Sequence, residues 1–241
     1  MNKAILKNKS CFLTGATGGL GIELAKELAK ESCNLFLTSN TEEKLEELQK
    51  ELQKINPSIR ILYRKCNLKN VEEIKELIEY CKKNLFEVDI LINSAGIFQI
   101  KSLQDSSLED FDDCFNINLK APFILSKEFS RDMSKNKWGR IINIGSSSSY
   151  SGFKNGSLYC SSKHGILGLS RVLYNELKEN NVRVLCISPG SMKTDMAKIS
   201  TDQDFNTFLN PEEVAKHIVL LMKYDDEMIL EEVRLNRVEI K

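Results

Sequence analysis

Along the chain, short runs of aliphatic and β-branched residues alternate with longer stretches in which apolar positions recur every three or four residues. The short runs fall near residues 10–14, 34–38, 59–64, 88–92, 140–144 and 182–187 and read as strands. The stretches between them carry helical stripes: Ile22, Ala25, Leu28 and Ala29; Leu45, Leu48, Leu52 and Ile55; Val71, Ile74, Leu77 and Ile78. Repeated βα units of this kind predict an α/β fold with a mostly parallel sheet covered on both faces. Asn40 with Glu43, and Asn70 with Glu73, have the spacing of capping boxes. Asn210-Pro211 opens another helix through Val214, Ile218 and Leu221, and a last short strand is expected near 229–235.

At 241 residues and 41% hydrophobic content, the chain can bury one large core, and a single domain over 1–241 is expected. Basic and acidic residues balance at 34 each, so no overall field draws the protein to nucleic acid or to an anionic membrane. A small-molecule partner is the expectation. Seven cysteines (Cys11, Cys33, Cys66, Cys81, Cys114, Cys160, Cys186) are scattered without a Cys-x-x-Cys pair, which reads as reduced thiols in the cytoplasm. His164 and His217 have no partners at ligand spacing, so no metal site is expected, and His164 reads as an ordinary helix residue. Residues 1–10 bear lysines, but the apolar run behind them is too short for a signal segment, and nothing approaches the length of a membrane span.

Two stretches carry chemistry. Thr14-Gly15-Ala16-Thr17-Gly18-Gly19-Leu20-Gly21 lies between the first strand and the first helix, where glycines permit a tight turn and the helix N-terminus offers unpaired N–H groups to a pyrophosphate. Thr38-Ser39-Asn40 ends the second strand where NAD sites usually place a carboxylate. Without that carboxylate nothing repels a 2′-phosphate, and Lys44 lies nearby, so NADP(H) is expected over NAD(H). Further on, Tyr159 and Lys163 are four apart in a helical pattern, so both leave one face. A nearby ammonium favours a phenolate, the way to make a phenol a usable acid and base. Ser146 is placed to hold a substrate oxygen. A Tyr-x-x-x-Lys spacing alone is common, and only its setting gives it weight.

Together these residues resemble the short-chain dehydrogenase/reductase family in its compact form, over about residues 9–221, with a similarity to 3-oxoacyl-ACP reductase-like members. The resemblance implies a Rossmann-type, doubly wound, three-layer α/β/α domain. Ser146 precedes Tyr159 by the family's usual interval, and Asn118 matches the asparagine of its proton relay, so Ser146, Tyr159, Lys163 and Asn118 are the expected catalytic set. The expected cofactor contacts are Gly15, Thr17, Gly19, Leu20, Gly21, Ser39, Asn40, Asn67, Leu68, Asn93, Ala95, Gly96, Tyr159, Lys163, Pro189, Gly190 and Thr194. Ser94 and Asn67 depart from the family's usual asparagine and aspartate.

The implied reaction is hydride transfer between a nicotinamide and a carbonyl or secondary alcohol. Tyr150, Phe153, Lys154 and a lid over residues 191–210 are expected to line the substrate pocket, and their polarity favours a small polar substrate. The alternatives are a 3-oxoacyl thioester reductase, with Arg131, Lys135, Lys137 and Arg140 as a landing surface for an acidic carrier, and a catalytically silent NADP(H)-sensing protein. The ending Glu231-Glu232-Val233-Arg234 lacks the family's tetramer-building pattern, so a homodimer through helices near 107–136 and 159–178 is expected before a homotetramer.

Overall fold

The computed structural model describes residues 5–199 and 203–238. Ser200, Thr201 and Asp202 of the expected lid, and residues 1–4 of the N-terminal segment, lie outside the described residues. Among the described residues, seven parallel strands form one sheet in the order β3-β2-β1-β4-β5-β6-β7. They are β1 (Ser10–Thr14), β2 (Asn34–Ser39), β3 (Ile61–Lys65), β4 (Ile90–Asn93), β5 (Gly139–Ile144), β6 (Val182–Pro189) and β7 (Glu232–Leu235). The fold is the Rossmann-type α/β/α arrangement.

The five inner strands, β1, β2, β4, β5 and β6, are covered on both sides, which is why nearly all their residues are buried, whereas the edge strands β3 and β7 are largely half-exposed. Cys11, Leu13, Leu35, Leu37, Ile90 and Ile92 face a core completed by α1 (Gly19–Lys30), α2 (Glu42–Ile55) and α7 (Pro211–Met222). Phe12, Phe36, Leu91 and Ile141 point the other way, onto α3 (Val71–Lys83), α5 (Ala121–Lys135) and α6 (Ser157–Leu177). Phe12 and Phe36 are register partners on adjacent strands and stack at 4.8 Å. Between α4 (Leu108–Phe115) and α5, residues Asn116–Lys120 form a π segment, so 108–135 is one interrupted helical run.

Several expectations are corrected. The side chain of Asn40 does not cap α2; the N-cap is Thr41, without a side-chain cap, and Asn40 Oδ1 accepts from the Thr41 hydroxyl. Asn70 does cap α3, but Glu73 reaches the amide of Asn67 instead of completing the box. Arg140 is no surface residue: it lies on β5, fully buried. Its guanidinium donates to the carbonyls of Gly139, Met222 and Tyr224 and to Asp225, and sits over the Trp138 ring at 4.4 Å. Arg183, next to it on β6, donates to the carbonyls of Tyr224, Asp226 and Met228. A buried guanidinium is tolerated only when its N–H groups are satisfied, and the turn after α7 satisfies both.

Candidate active site

The strand order reverses between β1 and β4, and the crevice at the carboxyl ends of such strands is where α/β sheets bind ligands. Thr14 closes its floor: the hydroxyl accepts from the amides of Ser94 and Ala95 at 3.1 Å each, joining the ends of β1 and β4. Above it opens a cleft of about 840 Å³. Of the expected residues, Gly15, Thr17, Gly19, Leu20, Gly21, Gly96, Ser146, Tyr159, Lys163, Pro189, Gly190 and Thr194 line this one space.

The glycine turn divides by role. Gly15 has φ +65°, and a Cβ there would come 2.7 Å from Ala95 Cα; a Cβ on Gly21 would come 2.1 Å from the Gly15 carbonyl. Both serve the packing of turn against strand and helix. Gly19 is different, since its Cβ would meet Thr194 Cγ2 at 2.6 Å across the cleft. The first turn of α1 has no side-chain cap and no acidic residue of its own and borders the cleft, an arrangement suited to a pyrophosphate. The residues therefore fit a dinucleotide, whose phosphates residues 17–20 would hold.

Ser146 follows β5, and Tyr159 and Lys163 lie one turn apart at the start of α6. Lys163 Nζ donates to the Ile144 carbonyl at 2.8 Å and lies 5.7 Å from the centroid of the Tyr159 ring. Burial lowers the lysine pKa to about 8. Burial also pushes the Tyr159 phenol up to about 12, against the pull of the neighbouring Ser146 hydroxyl. In the protein alone, desolvation and not the lysine dominates the phenol, contrary to the sequence-based expectation.

Asn118 sits in the π segment with its carboxamide fully used. It accepts from the amide of Ile97 at 2.9 Å and donates to the Ile97 carbonyl at 3.0 Å and to Ser162 Oγ at 2.9 Å. A Cβ on Gly96 would meet both Asn118 Oδ1 (3.3 Å) and Lys163 Nζ (3.7 Å), which places the two groups around one glycine. Asn93 and Ala95 support the floor from below: Asn93 is buried and donates to Asn143 Oδ1 at 2.7 Å. Ser39, Asn40, Asn67 and Leu68 lie on the β2–β3 side, outside the lining. The Ser39 hydroxyl is engaged with Thr41, Asn40 and Asn67 are exposed, and Leu68 is buried. His164 is a helix residue whose Nδ1 meets the Cys160 carbonyl at 2.8 Å.

The substrate end differs from its expected character. Phe153 and Lys154 line the cleft, but the Tyr150 hydroxyl turns away to Glu232 on β7 at 2.8 Å. Phe98, Ile100, Met192, Met196 and Ile199 also line it, so this end has large apolar walls that the polar composition of its loops concealed. No local pattern marks these residues, because they come from loops after different strands. Arg131, Lys135 and Lys137 are exposed, but the end of α5 leads into the amino end of β5, opposite this chain's own cleft.

A family model for short chain dehydrogenase matches residues 9–204. The chain is 34% identical to 3-oxoacyl-acyl-carrier-protein reductase FabG of Rickettsia bellii over 90% of both chains, and 36% identical to that of Rickettsia felis over the same shares. A crystal structure of a metagenomic short-chain oxidoreductase in complex with NADP superposes with a TM-score of 0.84 at 25% identity, covering 97% of this chain and 99% of that one. An actinorhodin polyketide ketoreductase with NADPH gives 0.87 at 27% over 95% of each, and a 4-hydroxyisoleucine dehydrogenase with NADH gives 0.83 at 26% over 95% and 97%. No helix among the described residues is long and apolar enough to cross a membrane. The chain belongs to the short-chain dehydrogenase family and is an oxidoreductase that interconverts a carbonyl and an alcohol with a nicotinamide cofactor.

Proposed function

We propose that the protein reduces 3-oxoacyl thioesters with NADPH as the hydride donor. One observation carries this reading: Ser146, Tyr159 and Lys163 meet at one end of a glycine-floored cleft, in a chain that shares a third of its residues with 3-oxoacyl-acyl-carrier-protein reductases along nearly its whole length. When bound, the nicotinamide supplies the hydride to the carbonyl carbon. Tyr159 gives its phenolic proton to the carbonyl oxygen, so that C=O becomes CH–OH, and Ser146 Oγ holds that oxygen in place. Lys163 holds the nicotinamide ribose hydroxyls, and its ammonium stabilises the phenolate left behind. Because the Asn118 carboxamide is committed to Ile97 and Ser162, its part in returning a proton falls to its backbone, within the π segment.

NADPH is preferred on this chain's own residues, since similar solved structures carry either form. The β2 end has no carboxylate, and exposed Asn40 and Lys44 offer an amide and a charge to a 2′-phosphate. A homodimer is supported by an apolar face on α4–α5 and α6, where Phe111 and Phe115 stack at 4.2 Å and Phe111 and Phe123 stay 43% and 49% exposed. Seven unpaired thiols suit the cytoplasm.

The test is steady-state NADPH oxidation with 3-oxoacyl thioesters, on carrier protein and on pantetheine, alongside NADPH and NADH binding titrations. Tyr159→Phe is expected to lower turnover by at least about a thousandfold while NADPH binds within a few-fold of the parent. Turnover surviving that change would overturn the assignment. NADPH binding without turnover of any substrate would favour the sensing role.

A further inference from the structure

Beyond Ser146 and Tyr159 the cleft continues along a wall that proton and hydride transfer do not use. Phe98 stands edge-on to Tyr159, with centroids 4.7 Å apart and planes at 74°. Phe153 packs against Phe98 at 6.1 Å, and Ile100 and Met196 extend the surface. Phe153 and Met196 are each 42% exposed and Ile100 38%. Gly156 explains how the Phe153 ring lies so low, since a Cβ there would come 2.6 Å from the ring.

Grouped aromatic, isoleucine and methionine side chains left open in a cleft mark a surface that a ligand covers. An occupant that starts at the reacting carbonyl beside Tyr159 and follows this wall meets apolar side chains, while Ser151, Lys154 and Asn155 line the cleft beside it. Ring faces and a thioether offer no donor to a hydroxylated or charged group, whereas an unbranched alkyl chain is matched to them. We propose that this wall grips the alkyl tail of the substrate, so that the enzyme selects medium to long unbranched acyl chains, with Phe98 and Phe153 as specificity-determining residues.

This inference rests on the reductase reading of the same site, and two readouts separate them. The first is kcat/KM for 3-oxoacyl-pantetheine thioesters of four, eight and twelve carbons. The second is the thermal shift given, in the presence of NADP+, by saturated acyl-pantetheine thioesters of the same lengths, which cannot be reduced. A buried methylene is worth about 0.8 kcal/mol, roughly fourfold, and a half-open wall realises about half of that free energy, so four to eight carbons should raise kcat/KM by at least about tenfold. Phe153→Ser, and independently Met196→Ser, should flatten that ratio. Equal values at all lengths in both readouts would overturn the proposal. A thermal shift that grows with length, with no 3-oxoacyl thioester reduced, would support the tail wall and overturn the reductase reading instead.

Discussion

Lys163 shows how much a single position is asked to do. It is 6% exposed, its one hydrogen-bond partner among the described residues is the neutral Ile144 carbonyl, and burial lowers its pKa to about 8 from the ordinary 10.5. If its ammonium holds the cofactor ribose, binding selects the protonated form. Below about pH 8 that form is present and costs nothing further; above it, binding must also recapture a proton. NADPH affinity should therefore fall as pH rises through 8, by on the order of thirtyfold between pH 7 and 9.5, and Lys163→Met should bind weakly but with little pH dependence in the same titration. Equal affinity of the parent at both pH values would remove Lys163 from the cofactor site.

At the scale of the elements, the buried Arg140 binds β5 to the turn after α7, an arrangement with four acceptors for one guanidinium. Arg140→Ala empties that space, strips the Met222 carbonyl of its guanidinium donor and leaves the Tyr224 carbonyl to Arg183 alone. A loss of about 3 kcal/mol of unfolding free energy is expected in urea denaturation, with catalysis in the surviving folded fraction little changed, because this end of the sheet is remote from the cleft. Arg140 also shows where pattern reading stops. The central strands were legible because both faces are apolar, and the glycine turn because its spacing sits between a strand and a helix. A charged residue in a strand reads as surface until its partners are known, and Met222, Tyr224 and Asp225 lie more than eighty residues away. Asn40 had the right spacing for a cap, yet its carbonyl oxygen found the Thr41 hydroxyl first. Phe98 and Phe153 belong to loops with no period at all and become neighbours only when β4 and β5 align.

For the molecule as a whole, the thiols set an alkaline limit. Burial pushes Cys33, Cys66 and Cys81 up to about 12 from an ordinary 9.0, and raises Cys11, Cys114 and Cys186 as well. Between 9 and 12 the unfolded chain releases protons that the folded chain keeps, so this contribution is present below pH 9 and is lost above it, by up to about 1.4 kcal/mol per thiol for each pH unit. Lys163 has the opposite sign between about 8 and 10.5, but it is one group among many. The unfolding temperature should drop steeply from pH 9 to 10.5, and the drop should be shallower in a Cys33→Ala, Cys81→Ala double variant followed by calorimetry. An equal slope in both proteins would exclude the thiols as the cause.

The placement of β7 carries a consequence for how the protein comes into being. Its Leu235 carbonyl accepts from the Gly190 amide at 2.8 Å, so the turn that borders the cleft is braced by a strand contributed nearly fifty residues later. Every strand pairing here joins segments separated by a helix, which makes closure of the sheet slow compared with forming any one βα unit. A chain still emerging from the ribosome can thus assemble the glycine turn, Tyr159 and Lys163 while the Pro189-Gly190 turn lacks its brace. Synthesis itself acts as a timer, because the Gly190 amide meets the Leu235 carbonyl only once β7 has been added.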